Sequence, residues 1–145
     1  MPLLPILTNG HRTSIHDFQG DAMTLPTLFI ILTLLATHWL ADFVFQSDFM
    51  AKNKSTSITI LFIHTTTYIF VFLPVLLALL GPSTGLILFL LFNWLAHTLV
   101  DFITSRITSV LYKAGDTHQF FTVIGFDQFI HAATLITTAY YFHLL

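Results

Sequence analysis

Four apolar stretches, each about as long as a bilayer is thick, constrain this chain more than any other feature. They run at about 25–45, 58–80, 85–107 and 126–145. A helix needs about 20 mostly apolar residues to cross the hydrocarbon core. The second stretch stops at GPSTG and holds Pro74, which a membrane helix tolerates when neighbours re-satisfy the backbone. Charged residues make up 8% of the 145, and a soluble domain carries about 25%. Five basic and seven acidic side chains cannot cover a soluble surface of this size. The expected fold is an all-α integral membrane protein, a four-transmembrane-helix bundle with the lipid bilayer as its main partner.

The first 22 residues differ. MPLLPILTNGHRTSIHDFQGDA mixes apolar residues with Arg12, Asp17 and Asp21 and makes a poor signal peptide. The expectation is a disordered or loosely amphipathic lead, or a reading frame extended upstream of Met23. Residues 23–145 then form the membrane domain.

Basic residues orient the spans. Lys52 and Lys54 follow the first span, and Arg106 and Lys113 border the third. The turn between spans two and three has no basic residue, nor has the C-terminus. Both termini are therefore expected outside the cytoplasm. A net charge of −2 gives no sign of nucleic-acid binding. Cysteine is absent, which excludes disulfides and thiolate metal sites. Glutamate is absent too, so acid chemistry falls to aspartate.

Every aspartate within a span has a histidine four residues away: His38/Asp42, His97/Asp101 and Asp127/His131. Residues at that spacing share a helix face. Spans one and three read His then Asp, and span four, running the other way, reads Asp then His. The reversal puts the aspartates in one layer nearer the cytoplasm and the histidines about 6 Å deeper. His64 enters from span two at similar depth. An aspartate at a span centre costs about 2.5–3.5 kcal/mol, so something must offset the layer.

A divalent metal is the leading expectation. Imidazole and carboxylate suit zinc first, with manganese or iron as alternatives. The candidate ligands are His38, Asp42, His64, His97, Asp101, Asp127 and His131, with Asp42 or Asp127 as general base in a hydrolase. Seven groups exceed one tetrahedral set, so either two metals bind or some aspartates orient histidine rings. A proton or metal-ion pathway is the second reading. Interhelical hydrogen bonding, in a structural protein that works through partners, is the third.

Weaker signals surround these. Gln128 could hold a ligand or cap its span, and Tyr68 could bond within the site or pack. The loop QSDFMAKNK reads as solvated and basic, with phosphate contact as a smaller option. Arg106 is placed to pair with Asp101. No GxSxG, P-loop or HExxH pattern occurs.

HWLADF at 38–43 recurs as HTLVDF at 97–102, which suggests two related helical hairpins. With HWLADFVFQSDFMAKNK, His64 and Tyr68, HTLVDF and FDQFIH, the chain from Met23 onward resembles an uncharacterised family. That family is the "domain of unknown function" group of small bacterial and phage four-span inner-membrane proteins. The resemblance implies a four-helix membrane domain and supplies no activity. A looser similarity, in motif style only, is to membrane-bound metal-dependent hydrolases. The substrate is unknown at this level, and self-association into a homo-oligomer stays open.

Overall fold

Small polar residues open every helix, and their side chains account for the breaks between spans. The computed structural model describes residues 24–145, so the expectations for the N-terminal lead lie outside the described residues. Helix α1 (Leu25–Trp39) starts after Thr24, whose hydroxyl accepts from the Thr27 N–H, with proline in its first turn. Ser47 caps a short α2 (Asp48–Asn53), Ser57 caps α3 (Ile58–Leu80) and Ser83 caps α4 (Thr84–Ala114). Asp116 caps α5 (Thr117–Tyr141). Each cap satisfies one of the amide donors a helix start leaves unpaired. Pro74 sits inside α3 without ending it.

Four helices are long and apolar enough to cross a membrane. The first of these, Leu25–Val44, includes a π-helical turn, Leu40–Val44, that continues α1. There the Phe45 N–H reaches back five residues to the Leu40 carbonyl at 2.9 Å. The wider turn changes the register between His38 and Asp42, and such turns occur frequently at functional sites.

The segment 108–125, expected to lie largely between spans, is mostly helical: α4 continues to Ala114 and α5 begins at Thr117. Gly115, at φ 73°, adopts the left-handed conformation that ends α4 and closes a tight turn. Helix α4 has 31 residues and is therefore about 46 Å long, against a hydrocarbon core of about 30 Å. The joined ends of α4 and α5 form a helical hairpin longer than an untilted crossing requires.

The distribution of side chains is that of a membrane protein. Phe70 and Phe129 are 71% and 67% exposed, whereas His64 and Asp101 are 0% and 1% exposed. Helices α4 and α5 form the most extensive pair, with α3 against α4 and α1 against α3 and α5. One half of the interior is apolar, built on Leu34, Phe72, Leu76, Phe89 and Leu135. Polar ties support the packing: Asn93 donates to Thr138 Oγ1 at 2.8 Å, and Thr98 donates to Thr65 Oγ1 at 3.0 Å. Interhelical bonds of this kind contribute about 0.6 kcal/mol each in membranes. The other half of the interior holds the histidines and aspartates.

Candidate metal centre

All seven candidate residues are buried. Span one contributes His38 and, from the π turn, Asp42. Helix α3 contributes His64, α4 His97 and Asp101, and α5 Asp127 and His131. Their polar atoms converge because antiparallel helices bring the reversed motif of α5 into line with the others.

The centre of the cluster is His64. Its Nε2 lies 3.0 Å from Asp42 Oδ1 and 3.0 Å from Asp101 Oδ2, so the aspartates of the two repeated motifs bracket one imidazole. His97 Nε2 lies 3.3 Å from His64 Nε2, 3.5 Å from Asp42 Oδ1 and 3.7 Å from Asp101 Oδ2. Asp42, His64, His97 and Asp101 form a group whose ligand atoms all lie within 4.8 Å of one another, close enough to hold a metal ion. A second such group is Asp42, Asp127 and His131. Asp42 belongs to both. Asp101 also spans the region between them, with Oδ1 3.4 Å from His131 Nε2 and Oδ2 on the His64 side.

His38 stands apart from both groups. Gln128 lies between it and the carboxylates: the Gln128 amide donates to Asp42 Oδ2 at 2.9 Å and to Asp127 Oδ2 at 3.0 Å. Its Oε1 then faces His38 Nε2 at 3.2 Å and accepts the ring proton. The π turn explains why His38 and Asp42 make no direct contact, whereas His97/Asp101 and Asp127/His131 approach within 3.7 and 3.5 Å. His38 thus holds Gln128, and Gln128 holds two carboxylates.

Three side chains play parts the sequence did not assign. Lys54, read as part of a solvated loop, turns inward and places Nζ 2.8 Å from Asp101 Oδ2 and 3.5 Å from His64 Nε2. Burial pulls its pKa down, but Asp101 first and Asp42 second outweigh that, and the ammonium titrates above the ordinary lysine value. Thr104 donates to Asp127 Oδ1 at 2.5 Å and fixes that carboxylate from α4. Arg106 does not pair with Asp101. It donates to the Phe102 carbonyl and lies 3.7 Å over the Phe102 ring, because Lys54 already occupies the aspartate. Tyr68 resolves toward packing: its ring stacks on His97 at a centroid distance of 4.3 Å.

Several buried atoms have no hydrogen-bond partner among the described residues: Asp42 Oδ1 and the Nδ1 atoms of His38, His64 and His97. Asp42 Oδ1 is close to two imidazole nitrogens yet aligned with neither for a hydrogen bond. A buried carboxylate oxygen in that position is costly unless a cation or proton donor meets it.

The fold and cluster together define a polytopic helical membrane protein with an intramembrane His/Asp site that could hold a metal. Residues 30–145 match the family described as "Protein of unknown function (DUF3307)", and the chain belongs to that family. No curated protein and no solved structure matches the chain.

Proposed function

We propose that the cluster is the metal centre of a membrane-embedded, metal-dependent hydrolase. One observation carries the reading. Around a tetrahedral zinc with bonds of about 2.0–2.2 Å, neighbouring ligand atoms lie about 3.3–3.6 Å apart. Five separations among Asp42 Oδ1, His64 Nε2, His97 Nε2 and Asp101 Oδ2 are 3.0, 3.0, 3.3, 3.5 and 3.7 Å. Three helical spans bring these atoms to separations that bracket those of a zinc shell, the two His64–aspartate contacts being shorter and the His97–Asp101 contact longer.

In this reading Asp42, His64, His97 and Asp101 hold zinc, or manganese or iron in its place. Asp42 and His131, with Asp127, offer a second position. The metal would polarise a water or a substrate oxygen. Asp127 lines the open cavity beside the cluster and is held by Thr104 and Gln128. It is placed to take a proton from the attacking water, and Asp42 is the other candidate base. Lysines at this end of the bundle favour its facing the cytoplasm of a bacterial inner membrane, with both termini on the other side.

A second reading has its own support. Metal ligation through Nε2 leaves the proton on Nδ1, and ligating histidines almost always give that proton to a carboxylate or carbonyl. Nδ1 of His64 and of His97 meets no such partner among the described residues. The polar chain from His38 through Gln128, Asp42, His64 and Asp101 to His131 then serves as a proton or ion relay.

Metal analysis decides between them. The protein is purified in detergent without chelator, beside His97→Ala and Asp127→Asn. Bound metal in the wild type, lost with His97→Ala, is the expected result. Metal-free wild type removes the hydrolase reading. Ion flux in proteoliposomes without substrate turnover then establishes the relay.

A further inference from the structure

Beside the cluster lies an open cavity of about 540 Å³, bordered by the end of span one, the α2 region and the α4–α5 hairpin. That volume suits a small ligand or a lipid headgroup. Its lining carries both charges: Asp42, Asp101 and Asp127, which belong to the candidate metal centre, and Lys52, Lys54 and Lys113. Lys54 is committed to Asp101. Lys52 and Lys113 make no ion pair among the described residues, although both border one cavity. Each is an exposed side chain in the last turn of its helix, where the dipole favours a cation, and both line the one cavity.

Two further features point to a ligand. Ser105 is 8% exposed, lines the cavity, and its Oγ has no hydrogen-bond partner among the described residues. Thr104, Thr108 and Ser109 continue a hydroxyl-bearing face of α4 along the same wall. Gln46 Oε1, also on the wall, is a buried acceptor without a donor. The site therefore offers the Lys52 and Lys113 ammonium groups and the Ser105 hydroxyl to an anion and one acceptor to a ligand hydroxyl, while Thr104 and Thr108 donate to Asp127 and to α4 carbonyls. Phe43, Phe120 and Ile124 supply apolar wall beside them.

We propose that this cavity recognises a phosphate ester, with the phosphate between Lys52 and Lys113 and within reach of Ser105. A phosphate suits the pattern because tetrahedral oxyanions accept several charge-assisted hydrogen bonds at once. The lining aspartates alone would repel it, and Asp42 and Asp101 holding a divalent cation would remove that repulsion. As the substrate class of the hydrolase, the inference rests on the metal reading; as an anion-binding site, it rests on the lysines and Ser105. Turnover consumes one water. The water oxygen bonds to phosphorus, one water proton passes to Asp127, the ester P–O bond breaks, and the released alkoxide takes up that proton from Asp127. Bilayer lipids and soluble metabolites both carry the group, and the apolar wall favours an amphiphile.

Calorimetric titration of the full chain in an uncharged detergent tests this. The probes are dihexanoylphosphatidylglycerol, sn-glycerol 3-phosphate and dihexanoylglycerol, which lacks phosphate. The phosphatidylglycerol binds and dihexanoylglycerol does not. Lys52→Ala with Lys113→Ala weakens binding by about tenfold or more, as lost charged hydrogen bonds do, and arginine at both positions restores it. Glycerol phosphate binding as tightly as the lipid identifies a soluble ester as the ligand; binding at least about tenfold weaker identifies a lipid headgroup. Equal affinity for dihexanoylglycerol, or an alanine pair that binds like the wild type, overturns the proposal. Metal content is measured on the same samples. Metal without phosphate binding overturns this inference alone, and phosphate binding without metal overturns the metal centre alone.

Discussion

Lys54 and Asp101 meet at 2.8 Å inside the bundle, although 47 residues separate them in the chain. The ammonium of Lys54 is thereby a tethered cation on the edge of the candidate metal group, sharing Asp101 Oδ2 with any metal that binds there. Two cations on one carboxylate oxygen repel, so lysine and metal oppose one another electrostatically.

That opposition predicts a conditional effect. Lys54→Ala leaves Asp101 buried with one partner fewer and destabilises the metal-free protein by about 3 kcal/mol, the low end for a broken buried pair. Added zinc shrinks the deficit, because the metal neutralises the same carboxylate. Unfolding in detergent with and without zinc, followed by circular dichroism, measures both quantities. A deficit unchanged by zinc means that Lys54 and the metal do not share Asp101. The pH dependence follows from the raised lysine pKa. The pair's contribution is fully present below 10.5 and is lost only as pH rises through the higher folded value.

Gln128 predicts a different signature. It touches none of the Nε2 atoms near Asp101, yet it donates to two carboxylates and accepts from His38. Gln128→Leu keeps much of the volume and removes all three bonds. Metal affinity should fall about 10- to 100-fold, as it does when groups orienting metal ligands are lost. The helix content should stay at the wild-type level. Competition with a fluorescent zinc chelator gives the affinity, and an unchanged value would mean that Asp42 and Asp127 are held without it.

How much of this could be read from the residues depends on where the information lies. The spans and the three His/Asp pairs were legible because hydropathy and the four-residue helical spacing are local. The alignment of Asp127 and His131 with the pairs of spans one and three was legible in the reversed order of FDQFIH. Lys54 was not legible: AKNKS has the composition of a solvated loop, and only the return of the chain against α4 turns that lysine inward. The π turn at Leu40–Val44 leaves no compositional mark, so the loss of direct contact between His38 and Asp42 was hidden. The helical character of the α4–α5 connection was not legible because a window for membrane spans sees only apolar residues, and this stretch is mixed. Gly115 was its one local sign.

Gly85 gives a control at the opposite end of the bundle. A Cβ placed there would lie 2.6 Å from the Phe142 carbonyl oxygen, so the backbone of α4 or of the C-terminal turn must move. Gly85→Ala should lower stability by about 1–3 kcal/mol, the usual cost of overpacking. Metal stoichiometry should be unchanged, since the affected contact lies beyond the apolar half of the interior. Thermal unfolding and metal analysis on one preparation check both. A loss of metal would show that the two halves of the bundle do not hold their shapes independently.

Asp42 is common to both groups of potential ligands, and that predicts an unequal set of losses. In a two-metal arrangement a shared carboxylate lies between ions about 3.5–4 Å apart. His131→Ala removes a ligand from the group with Asp127 and leaves Asp42, His64, His97 and Asp101 complete. His64→Ala does the reverse. Asp42→Ala cuts into both. Metal per protein, measured by mass spectrometry after equilibration with excess zinc and removal of free ion, should therefore fall by one with either histidine variant and by more with Asp42→Ala. A wild type that binds one equivalent, with His131→Ala also binding one, assigns the metal to the Asp42/His64/His97/Asp101 group. His131 then acts on Asp101 rather than on metal, consistent with its 3.4 Å approach to Asp101 Oδ1. Equal losses in all three variants would mean that the seven residues behave as one site, and that their division into two groups has no chemical meaning.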